Sequence, residues 1–345
     1  MPFLNSIEIS HPEFYYDQNL LQDVLISHWG DRVNDRLIQK LHQNVQVEGR
    51  YLVMSPDEYI KNKSFGERNN LFIEHSVNIA KKALKKTFEK ISPEQIDSIW
   101  TNSVTGMMIP SLEARLMNQF NFRPDVKRVP LFGLGCMAGA AGLNRALEYL
   151  RAFPTESALF ISVELCSLTL QLEDISVANI LSTGLFGDGC AAVLLVGDEH
   201  PLASSSPLKF KKSKSFLIPN SEDVMGWDIS ERGLKVILNK NVPELAEQYF
   251  PELLEGFTEE GIVSYFAHPG GPKVLEAIQQ GFGVNSEKIQ HSWESLREKG
   301  NMSSVSILDI IHRHLSTSPQ TKGSVAVSAA MGPGFSAELG LFEWQ

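Results

Sequence analysis

The chain has 345 residues, of which 43% are hydrophobic and 21% are charged. This composition is ordinary for a globular protein with a large core, built as two domains or as one duplicated unit. The formal net charge is −10, from 41 acidic and 31 basic residues. Nucleic acid is therefore an unexpected partner, although a local basic patch could still bind a phosphorylated small molecule.

No apolar run is long enough to predict a membrane span, and the N-terminal segment lacks the pattern of a secretory signal. Three cysteines, Cys136, Cys166 and Cys190, are too few for a disulfide framework, and nothing pairs at zinc-ligand spacing. His312 and His314 lie two apart on a predicted helix, so we expect them on its surface rather than on a metal. These features predict a cytoplasmic protein without a metal.

Strands and helices are predicted to alternate along the chain. In the first half we expect helices within 18–43 and 69–90, a helix start at Ser92-Pro93, a strand at 98–103, a helix at 112–120, a strand at 158–163, a turn at 186–189 and a strand after it. In the second half we expect strands at 234–238, 262–267, 324–330 and 337–344, and helices at 243–256, 271–280, 286–299 and 301–315.

The least regular stretch, 201–228, is rich in Ser and Lys and marks the predicted boundary between halves 1–200 and 201–345. Alternation of this kind indicates an α/β fold with both sheet faces covered by helices. The two halves also resemble a distant duplication, because GCM at 135–137 and GNM at 300–302 each open a helix. A pseudo-twofold arrangement brings both helix starts to one central site.

Cys136 lies in the stretch LFGLGCMAGAAGLNRALEYL, between a short apolar run and an amphipathic helix. The small residues at 138–142 are predicted to let this helix pack closely against neighbouring backbone. Unpaired N–H groups and the macrodipole favour negative charge at a helix start. The thiol pKa of ~8.5 is therefore expected to fall into the range ~3.5–7.5, which suits a nucleophile. The alternative is a buried structural cysteine.

A nucleophilic cysteine needs a base or cation for its proton and donors for the oxyanion that forms on attack. His268 follows the apolar strand IVSYFA at a glycine-rich turn, the edge where α/β sheets place their sites. A histidine merely packed at a strand end is the alternative. Asn301 stands at a predicted helix start, either as an N-cap or as an amide donor to an enolate or thioester oxygen.

Together these motifs resemble the type III polyketide synthases, the chalcone synthase-like enzymes of the thiolase fold. The matching stretches run in the family's order over almost the whole chain: GLGCMAGAAG, LFGDGCAAVLLVGD, AHPGGPKVLE, GNMSS and GPGFSAE. RPDVKRVPLFGLGC, SVELCSLT and DVMGWDI resemble the bacterial alkylpyrone and alkylresorcinol synthases, and the phloroglucinol synthase is similar too. The resemblance implies a duplicated, five-layered αβαβα architecture and a homodimer.

The resemblance also implies a mechanism. Cys136 accepts an acyl starter from coenzyme A, while His268 and Asn301 hold the thioester oxygen of malonyl-CoA as carbon dioxide leaves. The resulting enolate attacks the Cys136 thioester in a decarboxylative Claisen condensation, and repeated rounds build a chain that cyclises. We expect a fatty acyl-CoA starter and an alkylpyrone or alkylresorcinol product, with phloroglucinol from malonyl-CoA alone as the alternative. No metal or redox cofactor is expected.

Further site residues follow from the same resemblance. Positions that match the cavity lining are Val104, Thr105, Cys166, Thr169 and Ser303. Trp227 falls in the cavity floor, Phe335 near the active-site loop, and Ile109 where relatives place a methionine that reaches into the partner subunit's cavity. Lys40 and Arg50 are the basic residues expected to hold the coenzyme phosphates.

Rival classes fit the sequence less well. A chain-initiating ketoacyl synthase of the same fold usually has an Asn shortly after the His, where this chain has PGGPK. A papain-like protease places an aromatic residue directly after its cysteine. A non-enzymatic relative is expected to have lost one of Cys136, His268 and Asn301. A dinucleotide site at 133–135 fails because the third glycine is misplaced.

Overall fold

The computed structural model describes residues 1–258 and 260–345. The strands are β1 (Phe3–Ser10), β2 (Phe14–Asp17), β3 (Gly49–Leu52), β4 (Ser98–Asn102), β5 (Lys127–Leu131), β6 (Ser157–Leu165), β7 (Asp188–Val196), β8 (Leu208–Leu217), β9 (Met225–Ser230), β10 (Gly233–Leu238), β11 (Ile262–Ala267), β12 (Val325–Gly332) and β13 (Ser336–Trp344). The helices are α1 (Gln18–Trp29), α2 (Asp35–Asn44), α3 (Pro56–Tyr59), α4 (Phe65–Thr87), α5 (Leu112–Met117), α6 (Ala138–Ala152), α7 (Val177–Leu185), α8 (Val242–Leu254), α9 (Pro272–Phe282), α10 (Gln290–Lys299) and α11 (Val305–Thr317).

Within the described residues, nine strands form one mixed sheet in the order β11-β12-β13-β8-β1-β7-β6-β4-β5. β4 runs parallel to β5 and β6, and β11 runs parallel to β12, whereas the other neighbours are antiparallel. β8 pairs with β1 on one side and β13 on the other, so it joins the strands of the first half to those of the second.

Alternate residues along the central strands face two different helix layers. On β7, Val193 packs with α6 and α11, whereas Leu194 packs with α4 on the opposite face. On β12, Ala326 faces α6 and α11, whereas Val327 faces α8, α9 and α10. Because side chains alternate across a strand, α6 and α11 form a central layer between two layers of strands. The expected five-layered αβαβα architecture is confirmed.

The central helices α6 and α11 approach each other closely at Gly139. A Cβ atom on Gly139 would overlap the backbone carbonyl oxygen of Ser304, just before α11. One turn later, a Cβ on Gly142 would meet the ring of Phe160 in β6. The predicted close packing of the small residues at 138–142 is therefore confirmed.

Three local predictions differ from the structure. Ser92-Pro93 begins a single 3₁₀ turn rather than a helix, because the chain enters the buried strand β4 directly after it. The predicted turn at 186–189 ends early, since Asp188 and Gly189 already belong to β7. The stretch 201–228 contains the regular strand β8, in which Leu208 and Phe210 are buried and residues 211–215 are all lysine or serine. The division into halves 1–200 and 201–345 stays a prediction.

The structure corrects the expected placement of two histidines on α11. His314 is buried and packs its ring against Phe266 and His291, and His312 is half-buried with Nδ1 at 2.8 Å from the carbonyl oxygen of Ile7. Both sit against the core because α11 belongs to the central layer. In the described part of the chain, no helix has the length and apolarity needed to cross a membrane.

Candidate active site

One cavity of about 920 Å³ brings together the three residues predicted to carry the chemistry. Cys136, His268 and Asn301 all line it, although they come from three distant segments of the chain. His268 and Asn301 are each only 2% exposed, so they lie at its enclosed end. The cavity therefore joins the start of α6, the end of β11 and the segment that precedes α11.

Cys136 lies in a single 3₁₀ turn, Gly135–Met137, directly before α6. Gly135 has a φ of +54°, and a Cβ atom there would overlap Pro333, so only glycine fits this approach. Although Cys136 contributes surface to the cavity, burial raises the pKa of its thiol to about 11, with the Glu164 carboxylate acting in the same direction. The predicted fall of this pKa is therefore not supported, because burial outweighs the helix start.

His268 follows β11 and is held by its backbone, whose N–H donates to the carbonyl oxygen of Ala329 at 2.9 Å. Its ring is buried, and neither Nδ1 nor Nε2 has a hydrogen-bond partner among the described residues. Burial lowers the pKa of His268 to about 4, so the ring is neutral at pH 7. Such a ring can accept a proton from a thiol or donate one N–H to a bound oxygen.

Asn301 is fixed by hydrogen bonds on both its backbone and its side chain. Its N–H donates to the carbonyl oxygen of Leu185 at 2.9 Å, and Oδ1 accepts from the Ser303 N–H at 2.8 Å. Nδ2 donates to the carbonyl oxygen of Gly270 at 3.4 Å, in the turn that follows His268. Asn301 lies three residues before Ser304, the N-cap position of α11. Its amide is thus oriented beside the turn that carries His268.

A buried carboxylate behind Cys136 was not predicted from the sequence. Glu164 of β6 is fully buried and accepts hydrogen bonds from the Val104 N–H at 3.1 Å and the Thr105 hydroxyl at 3.0 Å. The Ser304 hydroxyl donates to its other oxygen. Burial raises the pKa of Glu164 to about 7, and these hydrogen bonds oppose that rise. The only sequence signal was an acidic residue inside the apolar run SALFISVEL.

The other predicted contact residues occupy four different kinds of position. Four of them line the cavity with the reactive residues: Val104, Cys166, Trp227 and Ser303. Thr169 lines an adjoining pocket instead. Thr105 and Phe335 are buried outside the cavity lining, since Thr105 hydrogen-bonds Glu164 and Phe335 packs in the core beside α8 and α9. Ile109 is 94% exposed and lies outside the cavity.

The structure does not support Arg50 as a ligand of coenzyme phosphates. Arg50 is only 3% exposed, and its guanidinium donates to Gln18 and to the carbonyl oxygens of Thr183 and Gly184. Burial lowers its pKa to about 10. Because its terminal N–H groups are bonded to other residues inside the protein, Arg50 connects β3 to the end of α7. Lys40, in contrast, is exposed on α2 beside Leu41, which lines the cavity.

A smaller pocket of about 80 Å³ adjoins the main cavity. Both spaces are bounded by Cys166, Phe186, Trp227 and Val236. The far side of the smaller pocket is mainly apolar and is built from α1, β3 and α3: Leu21, Val24, Leu25, Leu52, Pro56 and Ile60. An apolar chain that extends from Cys136 past Cys166 and Trp227 thus has a matching surface.

Comparison with known proteins identifies the family. The sequence pattern of the FAE1/Type III polyketide synthase-like proteins matches residues 47–212, and that of the chalcone and stilbene synthases, C-terminal domain, matches residues 209–342. A putative chalcone synthase of Bacillus subtilis is 37% identical over 100% of this chain and 99% of its own length. A 1,3,6,8-tetrahydroxynaphthalene synthase of Streptomyces peucetius is 35% identical over 94% of this chain and 87% of its own.

A solved structure agrees with these matches. The 1,3,6,8-tetrahydroxynaphthalene synthase from Streptomyces coelicolor, a bacterial type III polyketide synthase, superposes with a TM-score of 0.93 at 29% identity. The superposition covers 99% of each chain, so it extends over both halves. The chain therefore belongs to the type III polyketide synthases, a family of acyltransferases with the thiolase fold.

Proposed function

We propose that this protein is an iterative synthase that condenses a fatty acyl-CoA starter with malonyl-CoA and cyclises the product to an alkylpyrone or alkylresorcinol. Cys136 is the nucleophile, and His268 and Asn301 are the groups that bind the reacting oxygen. The observation that carries this proposal is the convergence of these three residues on one cavity of about 920 Å³.

Loading begins with the Cys136 thiol, which is protonated at neutral pH because its pKa is about 11. The neutral ring of His268 accepts that proton, and the thiolate attacks the acyl carbon of the starter thioester. The thiolate of coenzyme A leaves and takes the proton from the imidazolium. His268 is then neutral again, and the acyl group is held on Cys136 as a thioester.

Extension uses the same donors on a different oxygen. The thioester oxygen of malonyl-CoA accepts hydrogen bonds from the His268 ring and the Asn301 amide. The bond to the carboxylate breaks, carbon dioxide leaves, and the electron pair forms an enolate that these donors stabilise. The enolate carbon attacks the acyl carbon, and the Cys136 thiolate leaves. Because N–H donors hold the oxyanion, we propose that neither a metal nor a redox cofactor is needed.

The preference for a fatty acyl starter is supported by the smaller apolar pocket. An acyl group on Cys136 that passes Cys166 and Trp227 meets mainly apolar side chains of α1, β3 and α3, beside the guanidinium of Arg50, whose two terminal nitrogens are bonded within the protein. Burial of each methylene contributes about 0.8 kcal/mol, so a chain long enough to fill this pocket is favoured over a short one.

A second candidate is a synthase that uses malonyl-CoA alone and forms an aromatic product such as phloroglucinol. Its support is the similarity to tetrahydroxynaphthalene synthases, whose named product is a polyhydroxylated aromatic compound without an alkyl chain. The main cavity, at about 920 Å³, has room for either product.

We also propose that the protein works in the cytoplasm. Its three cysteines, Cys136, Cys166 and Cys190, are all free thiols. A reducing compartment keeps a nucleophilic thiol available, whereas an oxidising one favours disulfides.

Mass spectrometry of the products tests the proposal. Purified protein receives malonyl-CoA with acyl-CoA starters of graded length, in the presence of a metal chelator. We expect a pyrone or resorcinol whose mass follows the starter, and no product from Cys136→Ala. Val24→Trp, which fills the smaller pocket from α1, is expected to shift the preference to shorter starters. Cys190→Ala, which removes a thiol outside the cavity, is the control and retains activity.

The outcomes separate the candidates. A product that is independent of the starter supports the malonyl-only synthase. If Val24→Trp leaves the preferred length of the starter unchanged, the smaller pocket is not part of the starter site. Complete failure to consume malonyl-CoA with every starter contradicts the enzyme mechanism.

A further inference from the structure

The segment that carries Asn301 between α10 and α11 has an unfavourable backbone conformation. Gly300 has a φ of +68°, and Ser303 has a φ of +50°, a region that residues other than glycine rarely adopt. A Cβ atom on Gly300 would overlap the carbonyl oxygen of Leu185, so only glycine fits the first of these positions. A disfavoured conformation such as that of Ser303 persists only where the surrounding contacts hold the chain.

Backbone hydrogen bonds supply one set of these contacts. The Asn301 N–H donates to the carbonyl oxygen of Leu185 at 2.9 Å, and the Gly187 N–H donates to the carbonyl oxygen of Asn301 at 3.1 Å. A Cβ atom on Gly187 would overlap the carbonyl oxygen of Lys299, so the two stretches of chain lie close together. The backbone at Asn301 is therefore fixed against residues 185–187.

A buried ion pair supplies a second contact and closes the segment into a loop. Lys299 is the last residue of α10, and its Nζ lies 2.6 Å from a carboxylate oxygen of Asp309 on α11, ten residues further along the chain. The side chain of Asp309 is fully buried and that of Lys299 is 16% exposed. The pair thus connects the residue before Gly300 to the helix that follows Ser304.

The Asp309 carboxylate is itself held firmly. Its other oxygen accepts hydrogen bonds from the Ser295 hydroxyl at 2.8 Å and from Arg313 Nε at 3.1 Å. Burial acts to raise the pKa of Asp309, but the charges of Lys299 and Arg313 lower it to about 2. The group is therefore charged at neutral pH, and charge-assisted hydrogen bonds fix its position.

We propose that the ion pair between Lys299 and Asp309 positions the Asn301 amide for the decarboxylation of malonyl-CoA. This inference rests on the proposed function, because it concerns the oxygen-binding role of Asn301. Lys299 and Asp309 are positioning residues, since neither belongs to the described lining of the cavity. Their pair keeps the two ends of the segment together, so the strained conformation at Ser303 and the direction of the amide are retained while the substrate reacts.

Lys299→Met tests the proposal, because it removes the ammonium group and leaves Asp309 bonded to Ser295 and Arg313. With malonyl-CoA as substrate, we expect the kcat for release of carbon dioxide to fall about tenfold, since a small displacement of a catalytic group has a large effect on rate. The KM should change by less than about twofold, because the pair does not contact the substrate. Lys299→Arg keeps the charge and should restore kcat.

A double variant distinguishes positioning from general destabilisation. Asn301→Ala is expected to slow the same step, and Asn301→Ala/Lys299→Met should be no slower than Asn301→Ala, because Lys299 acts through this amide. A purely structural role would instead make the two losses multiply. Arg145→Met is the matched control, since it removes a cation that lies 3.3 Å from the buried carboxylate of Glu338, and it should leave the release of carbon dioxide unchanged.

The outcomes separate this inference from the proposed function. Release of carbon dioxide by Asn301→Ala at the unsubstituted rate would contradict the proposed role of Asn301 and, with it, this inference. If Asn301→Ala is slow but Lys299→Met is not, or if the two losses multiply, only the positioning role is wrong. Should Lys299→Met fail to fold, Lys299→Gln provides the same test with a polar side chain. Its kcat is expected to fall a few-fold, because a neutral hydrogen bond is weaker than a charged one, and an unchanged kcat overturns the proposal.

Discussion

Cys136 and His268 are both uncharged at neutral pH, because burial moves their pKa values in opposite directions. The thiol titrates at about 11 and the imidazole at about 4. These shifts predict two neutral groups in the empty site rather than a thiolate–imidazolium pair. Proton transfer from Cys136 to His268 must then accompany attack on the substrate. The carbonyl oxygen of the substrate accepts hydrogen bonds from donors that are unused in the empty site.

Alkylation of Cys136 should therefore depend strongly on pH. Only the thiolate reacts, so the rate of inactivation by iodoacetamide is expected to rise about tenfold per pH unit between pH 7 and 9, without a plateau. Mass spectrometry of the modified peptide measures the rate at this residue. A rate that is independent of pH between 6 and 8 would mean a preformed ion pair with His268 and would contradict this prediction.

Two variants serve as controls for this measurement. Cys166→Ser removes the second thiol of the cavity and should leave the pH profile unchanged. Glu164→Gln removes the carboxylate that raises the pKa of Cys136, so its profile should shift to lower pH. The shift reports directly on the electrostatic effect of this buried group.

Sequence motifs predicted that Cys136, His268 and Asn301 share one site, and the three residues line one cavity, but the motifs did not predict their protonation. The helix start at Cys136 was visible in the sequence. The enclosure of its thiol and the proximity of Glu164 were not, because they come from segments that are distant along the chain. Arg50 was misassigned for the same reason, since its partners Thr183 and Gly184 lie more than 130 residues away.

Among the secondary-structure elements, the crossing of α6 and α11 is the most sensitive to a small change. Each of these helices follows a segment that lines the cavity, carrying Cys136 before α6 and Asn301 with Ser303 before α11. Their close approach at Gly139 fixes the distance between those segments. Packing at this crossing and positioning of the reactive groups are therefore coupled.

Gly139→Ala should destabilise this crossing strongly. The new Cβ atom would overlap the Ser304 carbonyl oxygen, a backbone atom that has little freedom to move. We expect the free energy of unfolding, measured in urea, to fall by about 3 kcal/mol. Any folded protein that remains should have reduced kcat, because the segment before α11 is displaced.

Gly66→Ala is the matched control for this substitution. Gly66 lies in the first turn of α4, and no atom lies within 4 Å of the position that its Cβ would take. Alanine there should leave the free energy of unfolding unchanged or raise it by about 0.5 kcal/mol. Equal destabilisation by the two variants would show that the contact with Ser304 is not the cause.

Helices with clear apolar periodicity, such as α4 and α11, were predicted within a few residues of their observed ends. β8 was missed because its run of lysines and serines at 211–215 contains no apolar residue, and its pairing with β1 and β13 supplies the order. The helix predicted at Ser92 ended after one turn, because the buried partners of β4 favour an extended chain. In both cases, strand pairing in the folded protein outweighed the conformational preference of the local sequence.

The whole molecule carries an exposed apolar patch at one end of its sheet. β4 and β5 run in parallel, so the loops after them emerge at the same end. These loops expose Met107 (41%), Ile109 (94%) and Phe132 (69%). A cluster of large apolar side chains on a chain with net charge −10 is typical of a surface that a partner covers. We propose that a second copy of this chain covers it, forming the predicted homodimer.

Ile109→Glu should therefore dissociate the dimer. A carboxylate placed in an apolar twofold interface lacks a partner, and burying it is costly. Sedimentation equilibrium should give the dimer mass for the unsubstituted protein and the monomer mass for Ile109→Glu. Ile229→Glu, at another residue that is 64% exposed, should retain the dimer mass. A monomer mass for the unsubstituted protein would contradict the proposed dimer.

Local features of the sequence determined the α/β class and the order of most elements, and they selected Cys136, His268 and Asn301 as the candidate site residues. These features are readable because apolar periodicity, helix starts and glycine turns act over a few residues. The tertiary structure alone decided the pKa of Cys136, the burial of Arg50 and the Glu164 network. Burial and electrostatics depend on groups that only folding brings together.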